Sequence, residues 1–253
     1  MKITFLGVGS QFSGHELFHS NMIITAESGN RLLIDCGSDI RFTLHEQNLT
    51  PADIDAIYIS HLHGDHVGGL EWMALNNYFT LKQRRPRLIC EQKLIEQLWE
   101  NSLKGGLECL GDRRMTLNDY FACHPVSLVD GFLWEQIAFK LIRMPHVDGP
   151  VCRHDSFGLL ITDAAKGAAF ISTDTTFQPE LLEQISAEAD IIFHDCETTK
   201  SVSSVHAHYK QLRTLPADIK SKIWLYHYQS GSDYQPERDG FKGFVTKGQE
   251  FFF

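Results

Sequence analysis

An α/β fold with mixed sheets is the class this sequence predicts, on three observations. Short runs rich in Ile, Val, Phe and Tyr recur along the whole length, stretches of helical spacing lie between them, and no Pro/Gly/Ser-rich linker divides the halves. In order, the strand-like runs are KITFLGV (2–8), NMIITAE (21–27), RLLIDCG (31–37), AIYIS (56–60), RLICE (87–91), IAFKLIRM (137–144), SFGLLITD (156–163), AAFIST (168–173), DIIFH (190–194) and KIWLYHY (222–228). Helical spacing appears over 40–47, 70–81, 93–103, 180–185 and 208–215, with Pro51 and Pro179 placed near helix boundaries. Strand-like runs outnumber helical ones and the two types interleave, which favours mixed sheets.

The 253 residues suffice for one large domain or two small ones. With no linker and no fixed-period repeat, the reading is one domain over 1–253. The balance of 23 Lys+Arg against 32 Asp+Glu gives a net charge of −9. Such a surface repels polyanions at long range and argues against a large nucleic-acid footprint. The one basic cluster, Lys82–Arg87, reads as a solvated loop before a strand. No apolar run reaches the length of a membrane span, and MKITFLGVGSQF reads as a first strand rather than a leader, so a cytoplasmic location without membrane contact is expected. Six widely spaced cysteines with no CxxC pair are expected to be reduced and mostly buried.

The chemistry begins where the strands stop. AIYIS runs into His61, FKLIRMP into His146, AAFIST into Asp174, DIIFH into Asp195 and KIWLY into His227. Side chains at the downstream ends of packed strands are held rigidly and can converge on one point. In HLHGDH, His61 and His63 can face one cavity, Gly64 allows a sharp bend, and Asp65 and His66 then point to a neighbouring position. Imidazole and carboxylate suit Zn, with Mn and Fe compatible. Four donors this close exceed what one ion with an open position needs, so two adjacent divalent ions are implied. Taken singly, Asp174 could cap a turn and His227 could be a sheet histidine.

HLHGDH matches the HxHxDH motif of the metallo-β-lactamase superfamily, and LIDCG (33–37), Pro145–His146, STDT (172–175) and the histidine of YHY follow in that family's order. The chain thus resembles this superfamily along nearly its whole length. The resemblance implies a four-layer αβ/βα sandwich with a dinuclear site on the edge of two packed sheets. It also implies that His61, His63 and His146 bind one metal, that Asp65, His66 and His227 bind the other, and that Asp174 bridges them. Asp35 corresponds to the aspartate that fixes a ligand's orientation from behind.

The stretch IIFHDCETTKSVSSVHAHYKQL (191–212) is similar to the ribonuclease Z and related phosphodiesterase branch, in which His-Glu ends a strand and His-Ser-Thr starts a helix. Here Asp195 replaces the glutamate and HAH replaces the His-Ser-Thr run, and no long Gly-rich arm is present. These departures and the negative charge point away from tRNA processing and toward a small phosphodiester or cyclic nucleotide. The roles implied are His206 as the donor to the leaving oxygen, oriented by Asp195, with Asp65 holding the attacking hydroxide. His208 is the competing candidate. Hydrolysis of an ester, thioester, lactone or lactam on the same site is the alternative, and a non-catalytic di-metal sensor the third reading. His15 and His19 could border the pocket, and His45, His124 and His154 read as ordinary. Phe251–Phe253 are expected to pack on the core or in a homodimer interface.

Overall fold

The structure is a computed structural model and describes residues 1–163 and 166–253. Fourteen of its strands form two seven-stranded sheets. The first runs, in spatial order, Glu250–Phe252, Lys2–Phe5, Met22–Thr25, Arg31–Ile34, Ala56–Ile59, Arg87–Glu91 and Ala122–Val126. The second runs Gly243–Phe244, Ile223–Tyr226, Ile191–Asp195, Gly167–Ile171, Arg153–Asp163, Ile137–Asp148 and Phe132–Trp134. Each sheet mixes antiparallel and parallel pairs, as the interleaved pattern predicts. Every residue of Ala56–Ile59 is buried, which requires cover on both faces of the sheet.

One core lies between the sheets and extends under the helices Ile40–Glu46, Leu70–Phe79 and Leu94–Leu98. A second core, containing Phe170, Ile192 and Leu225, covers the outer face of the second sheet with Pro179–Glu188, Tyr209–Leu212 and Ala217–Lys220. The layers are therefore helices, sheet, sheet, helices. The two sheets are also tied by directed contacts: the Tyr58 hydroxyl donates to the Phe157 carbonyl at 2.7 Å, and the Phe157 amide donates to the Ser60 carbonyl. Phe5 meets Phe193 across the interface with ring centroids 5.1 Å apart.

All ten expected strands form, with adjusted ends. The first stops at Phe5, and Gly7 then approaches the neighbouring chain so closely that a Cβ would stand 2.1 Å from the His19 carbonyl oxygen. Four sheet strands were not legible. Ala122–Val126 carries Pro125, which a ladder tolerates only at an edge, and the strand is the edge of its sheet. Phe132–Trp134, Gly243–Phe244 and Glu250–Phe252 are too short to show alternation. The helix expected over 93–103 begins at Leu94, widens into a π turn at Trp99–Leu103, and continues through Gly105 and Gly106 to Leu107. In the basic cluster, Arg84 donates to the carbonyls of Pro51 and Ile54 and pairs with Asp55, and Arg85 donates to the Asn118 carbonyl, so these two arginines tie loops together. All six cysteines are free thiols, three of them buried.

The terminal phenylalanines divide their roles. Phe251 packs on Phe5, Phe193 and Trp224 with ring centroids 5.8, 4.7 and 5.2 Å away, bridging both sheets. Phe253 packs partly on the same core, while Phe252 is 74% exposed. Phe251→Ala is therefore expected to lower unfolding stability by about 2–4 kcal/mol in urea denaturation, and Phe252→Ala by less than about 0.5 kcal/mol. Equal effects would contradict this packing.

Candidate metal centre

The centre is built where consecutive strands turn off the edge of the sandwich. Ala56–Ile59 delivers Ser60 and His61, and the chain then enters the short helix Gly64–Val67, which carries Asp65 and His66. Gly64 does not need a glycine's freedom, since its φ is not positive and a Cβ there would meet only Gln11 at ordinary distance. Glycine is required instead at Gly37, where a Cβ would fall 2.2 Å from the Asp65 carbonyl oxygen, and at Gly69, where one would fall 2.4 Å from the Gly37 carbonyl oxygen. Three non-glycine residues just past strand ends adopt left-handed backbone: Asp35 at φ 59°, Thr173 at φ 54° and His227 at φ 63°. Such conformations cost about 1–3 kcal/mol each and persist where the surroundings impose them. They turn the chain sharply as it leaves the sheet. His146 departs from the strand-end expectation. Its strand continues to Asp148, and His146 is the extra residue of a β-bulge, between the pairs Pro145–Asp155 and Val147–His154. A bulge re-aims the side chain that it frees.

Donor atoms gather in two groups that share one residue. In the first, His63 Nδ1 lies 3.1 Å from both His61 Nε2 and His146 Nε2, and Asp174 Oδ2 lies 3.6 and 3.7 Å from the same two nitrogens. In the second, His66 Nε2 is 3.4 Å from Asp65 Oδ2 and 3.3 Å from Asp174 Oδ1, and His227 Nε2 is 3.3 and 3.4 Å from those oxygens. Asp174 thus gives one oxygen to each group. Apart from His63, which is exposed, all these side chains are buried.

This donor set fits metal ions. A tetrahedron with metal–donor distances of ~2.0–2.2 Å has edges of about 3.4 Å, which is the spacing found. His66 Nε2 and Asp174 Oδ1 are buried with no hydrogen-bond partner, an expensive condition that a cation would relieve. The carboxylates of Asp35, Asp65, Asp174 and Asp195 are all buried, and among the described residues each pairs only with imidazoles, never with lysine or arginine.

The same carboxylates act on the proton affinity of the imidazoles. Burial works to lower the pKa of His66, but Asp174, Asp65 and Asp35 more than offset it and hold the group well above its ordinary value. His227 is held up in the same way, against burial, by Asp174, Asp195 and Asp65. Burial lowers His61 well below its ordinary value, with protonated His66 adding to the effect, and takes His146 down to about 4. A nitrogen that ligates a metal must be free of its proton, so metal binding here would be linked to pH.

Outside the ligand groups, hydrogen bonds fix orientation. Asp35 accepts from the Ser60 amide at 2.8 Å and the Ser60 hydroxyl at 2.7 Å, and takes His66 Nδ1–H at 2.7 Å. The Val205 carbonyl accepts from His146 Nδ1. Asp195 Oδ2 accepts from the Thr175 amide and from His206 Nδ1 at 2.8 Å, while its Oδ1 lies 3.2 Å from His227 Nδ1, off the line of a good hydrogen bond. His206 stands between His146 and His227, with ring centroids 5.0 and 4.8 Å away. His208 is committed elsewhere. It caps the helix Tyr209–Leu212 and donates through Nε2 to the Thr199 carbonyl.

Sequence reasoning passed over Ser60, Gly37 and the Val205 carbonyl. A short polar residue between a buried strand and HLHGDH was the available signal for Ser60; the other two had none. Of the loop histidines, His15 is exposed, whereas His19 is buried with its amide donating to Asp39, packed with Asp65 around Gly37. His154 lines a cavity of about 410 Å³ that opens on His61 and His63.

Asp35→Asn keeps a residue that tolerates left-handed backbone but weakens the acceptor behind His66. It is expected to lower apparent metal affinity about 10- to 100-fold in chelator competition, with far-ultraviolet circular dichroism retained. Unchanged affinity would contradict the assigned orientation of His66.

Comparison with known proteins agrees with this architecture. The profile of the family described as Anti-Pycsar protein Apyc1 matches residues 1–251. The chain is 33% identical over 258 residues to an Anti-Pycsar protein Apyc1 of Bacillus phage vB_BveM-Goe7, covering 98% of this chain and 97% of the relative. It is 37% identical over 231 residues to one from Paenibacillus sp. (strain J14), covering 90% and 89%. Among solved structures it superposes on the metallo-β-lactamase fold protein YhfI from Bacillus subtilis with a TM-score of 0.75 at 17% identity, over 99% and 98% of the two chains. The chain has the metallo-β-lactamase fold and belongs to the Anti-Pycsar protein Apyc1 family.

Proposed function

We propose that this protein is a metal-dependent phosphodiesterase that hydrolyses a small cyclic nucleotide. The observation that carries the proposal is His206, held by Asp195 beside His146 and His227 and outside the two ligand groups. A thioester expels a thiolate and has no need of a further donor at this place; a phosphodiester, which expels the more basic alkoxide, does. The anti-Pycsar naming of its relatives fits degradation of a cyclic nucleotide signal, and we extend that to this chain as part of the proposal.

His61, His63, His146 and Asp174 would hold one divalent ion, and Asp65, His66, His227 and Asp174 the other. Bound there, the ions would neutralise phosphoryl oxygens and bring the pKa of a water toward neutrality, chemistry that suits Zn and is compatible with Mn or Fe. The chain's own residues do the rest. Asp174 divides its two oxygens between the groups and so fixes their separation. Asp65 presents a carboxylate oxygen to the second group, where it can orient the attacking water. Asp195 fixes the His206 tautomer by accepting from Nδ1–H, leaving Nε2 to carry the transferable proton. Burial opposes protonation of His206, but Asp195 and Asp174 outweigh it and raise its pKa. A protonated His206 Nε2 would supply the proton that the leaving oxygen takes up.

His206, Asp195, Asp174 and His227 also lie close enough to count as a third donor group. The 2.8 Å bond from His206 to Asp195 favours the proton-donor role over ligation. His206→Ala is expected to lower kcat on a 3′,5′-cyclic nucleotide about 10²- to 10³-fold while metal content stays at the wild-type value. The loss should be much smaller on bis-p-nitrophenyl phosphate, whose leaving phenolate needs no proton. Equal losses on both substrates, or loss of a metal, would contradict the assignment.

A further inference from the structure

The loop that carries His206 is built around a buried carboxylate that lies outside the donor groups, that of Glu197. The strand Ile191–Asp195 ends just before Glu197, and the chain returns to the same place at Ala207 and Tyr209. There the Glu197 amide donates to the Ala207 carbonyl and the Tyr209 amide donates to the Glu197 carbonyl, both at 2.9 Å. Residues 198–206 lie between these bonds. Val202 and Val205 are their only apolar residues and neither is buried, so packing does little to place the loop. Hydrogen bonds must do it.

Glu197 is only 6% exposed, and its two carboxylate oxygens face the loop. Oε2 accepts from the Ser203 amide at 2.8 Å, and Oε1 lies 3.0 Å from the Thr199 hydroxyl. The Ser203 hydroxyl oxygen in turn accepts from the amides of Val205 and His206, each at 3.3 Å. Two groups are placed at once. The Val205 carbonyl takes His146 Nδ1–H at 2.7 Å, and His206 Nδ1–H reaches Asp195 Oδ2 at 2.8 Å. The first half of the loop has other anchors, since Thr198 bonds to Gln229 and the Thr199 carbonyl accepts from His208. Ser203, on the half that bears His206, is anchored by Glu197.

We propose that Glu197 is the positioning residue of the proton donor: through Ser203 it holds loop 198–206 in the shape that sets the His206 ring against Asp195. The inference rests on the phosphodiesterase reading and adds what keeps its donor in line. Glu197 acts by accepting hydrogen bonds from neutral groups, so glutamine should replace it. An amide oxygen can accept from the Ser203 amide, and the amide NH2 can donate to the Thr199 hydroxyl. That hydroxyl lies 2.6 Å from the Ser201 carbonyl and can donate there instead. Alanine offers neither bond.

The test measures kcat on a 3′,5′-cyclic nucleotide, divided by the same metal-loaded protein's kcat on bis-p-nitrophenyl phosphate, so that a general loss of fold or metal cancels. Glu197→Ala is expected to lower this ratio about 10- to 100-fold, and Glu197→Gln to keep it within about threefold of wild type. In the Glu197→Ala/His206→Ala double variant the ratio should match that of His206→Ala alone, because residues acting through one group are not additive. Proton NMR adds a readout without turnover. The downfield imidazole N–H signal that His206→Ala removes should be lost in Glu197→Ala and retained in Glu197→Gln. Additive losses in the double variant, an unchanged ratio in Glu197→Ala, or a Gln variant as impaired as the Ala variant overturns the positioning role and leaves the phosphodiesterase reading standing. Persistence of the N–H signal in Glu197→Ala overturns it whatever the turnover. If the wild type turns over no cyclic nucleotide, the phosphodiesterase reading fails and the donor role assigned through Glu197 falls with it.

Discussion

Four buried carboxylates, Asp35, Asp65, Asp174 and Asp195, crowd one edge of the sandwich, and among the described residues their only ion-pair partners are imidazoles. Isolated buried charge is prohibitively expensive, and groups so placed pair, coordinate metals or take up protons. Here the carboxylates raise the pKa of His66 and His227 well above the ordinary value, against the effect of burial. Divalent cations would compensate the buried charge more fully and would leave the ligating imidazoles neutral, as ligation requires. This need for cations connects the pKa pattern, the unpartnered atoms and the donor spacings.

The fold's contribution is to make this crowding permanent. His61, Asp174 and His227 follow strands of the sandwich, His146 lies within one, and Asp65 and His66 are buried on the short helix that follows His61, so these donors cannot move apart without disturbing the core. The left-handed residues Asp35, Thr173 and His227 and the bulge at His146 hold the chain in conformations that it would otherwise leave. Asp35 and Asp195 then set ring orientation from behind, each through more than one hydrogen bond. The arrangement is preorganised, so little ordering would remain for an ion to impose.

Much of this was legible in the sequence because strand ends and donor residues coincide there. The apolar runs before His61, Asp174, Asp195 and His227 marked the strands and the donors, and the layer order followed from the family resemblance that HLHGDH and the later motifs carry. The placement of His206 beside Asp195 followed from the motif order, and the commitment of His208 to a helix cap is a tertiary fact that no local pattern announced. Gly37 is required by a carbonyl 28 residues further along the chain, so no local rule could have preferred it to Gly64. The bulge at His146 depends on register with the neighbouring strand, and the short edge strands have too few residues to alternate. Phe251 reads as a bare terminal aromatic until Phe5, Phe193 and Trp224 surround it.

The claim that two cations complete this edge is open to one direct measurement, calorimetric titration of Zn or Mn into protein stripped by a chelator. The account predicts two equivalents bound per chain, with proton release that shows up as a dependence of the heat on buffer ionisation enthalpy. Uptake of no metal, or binding without displaced protons, would contradict it.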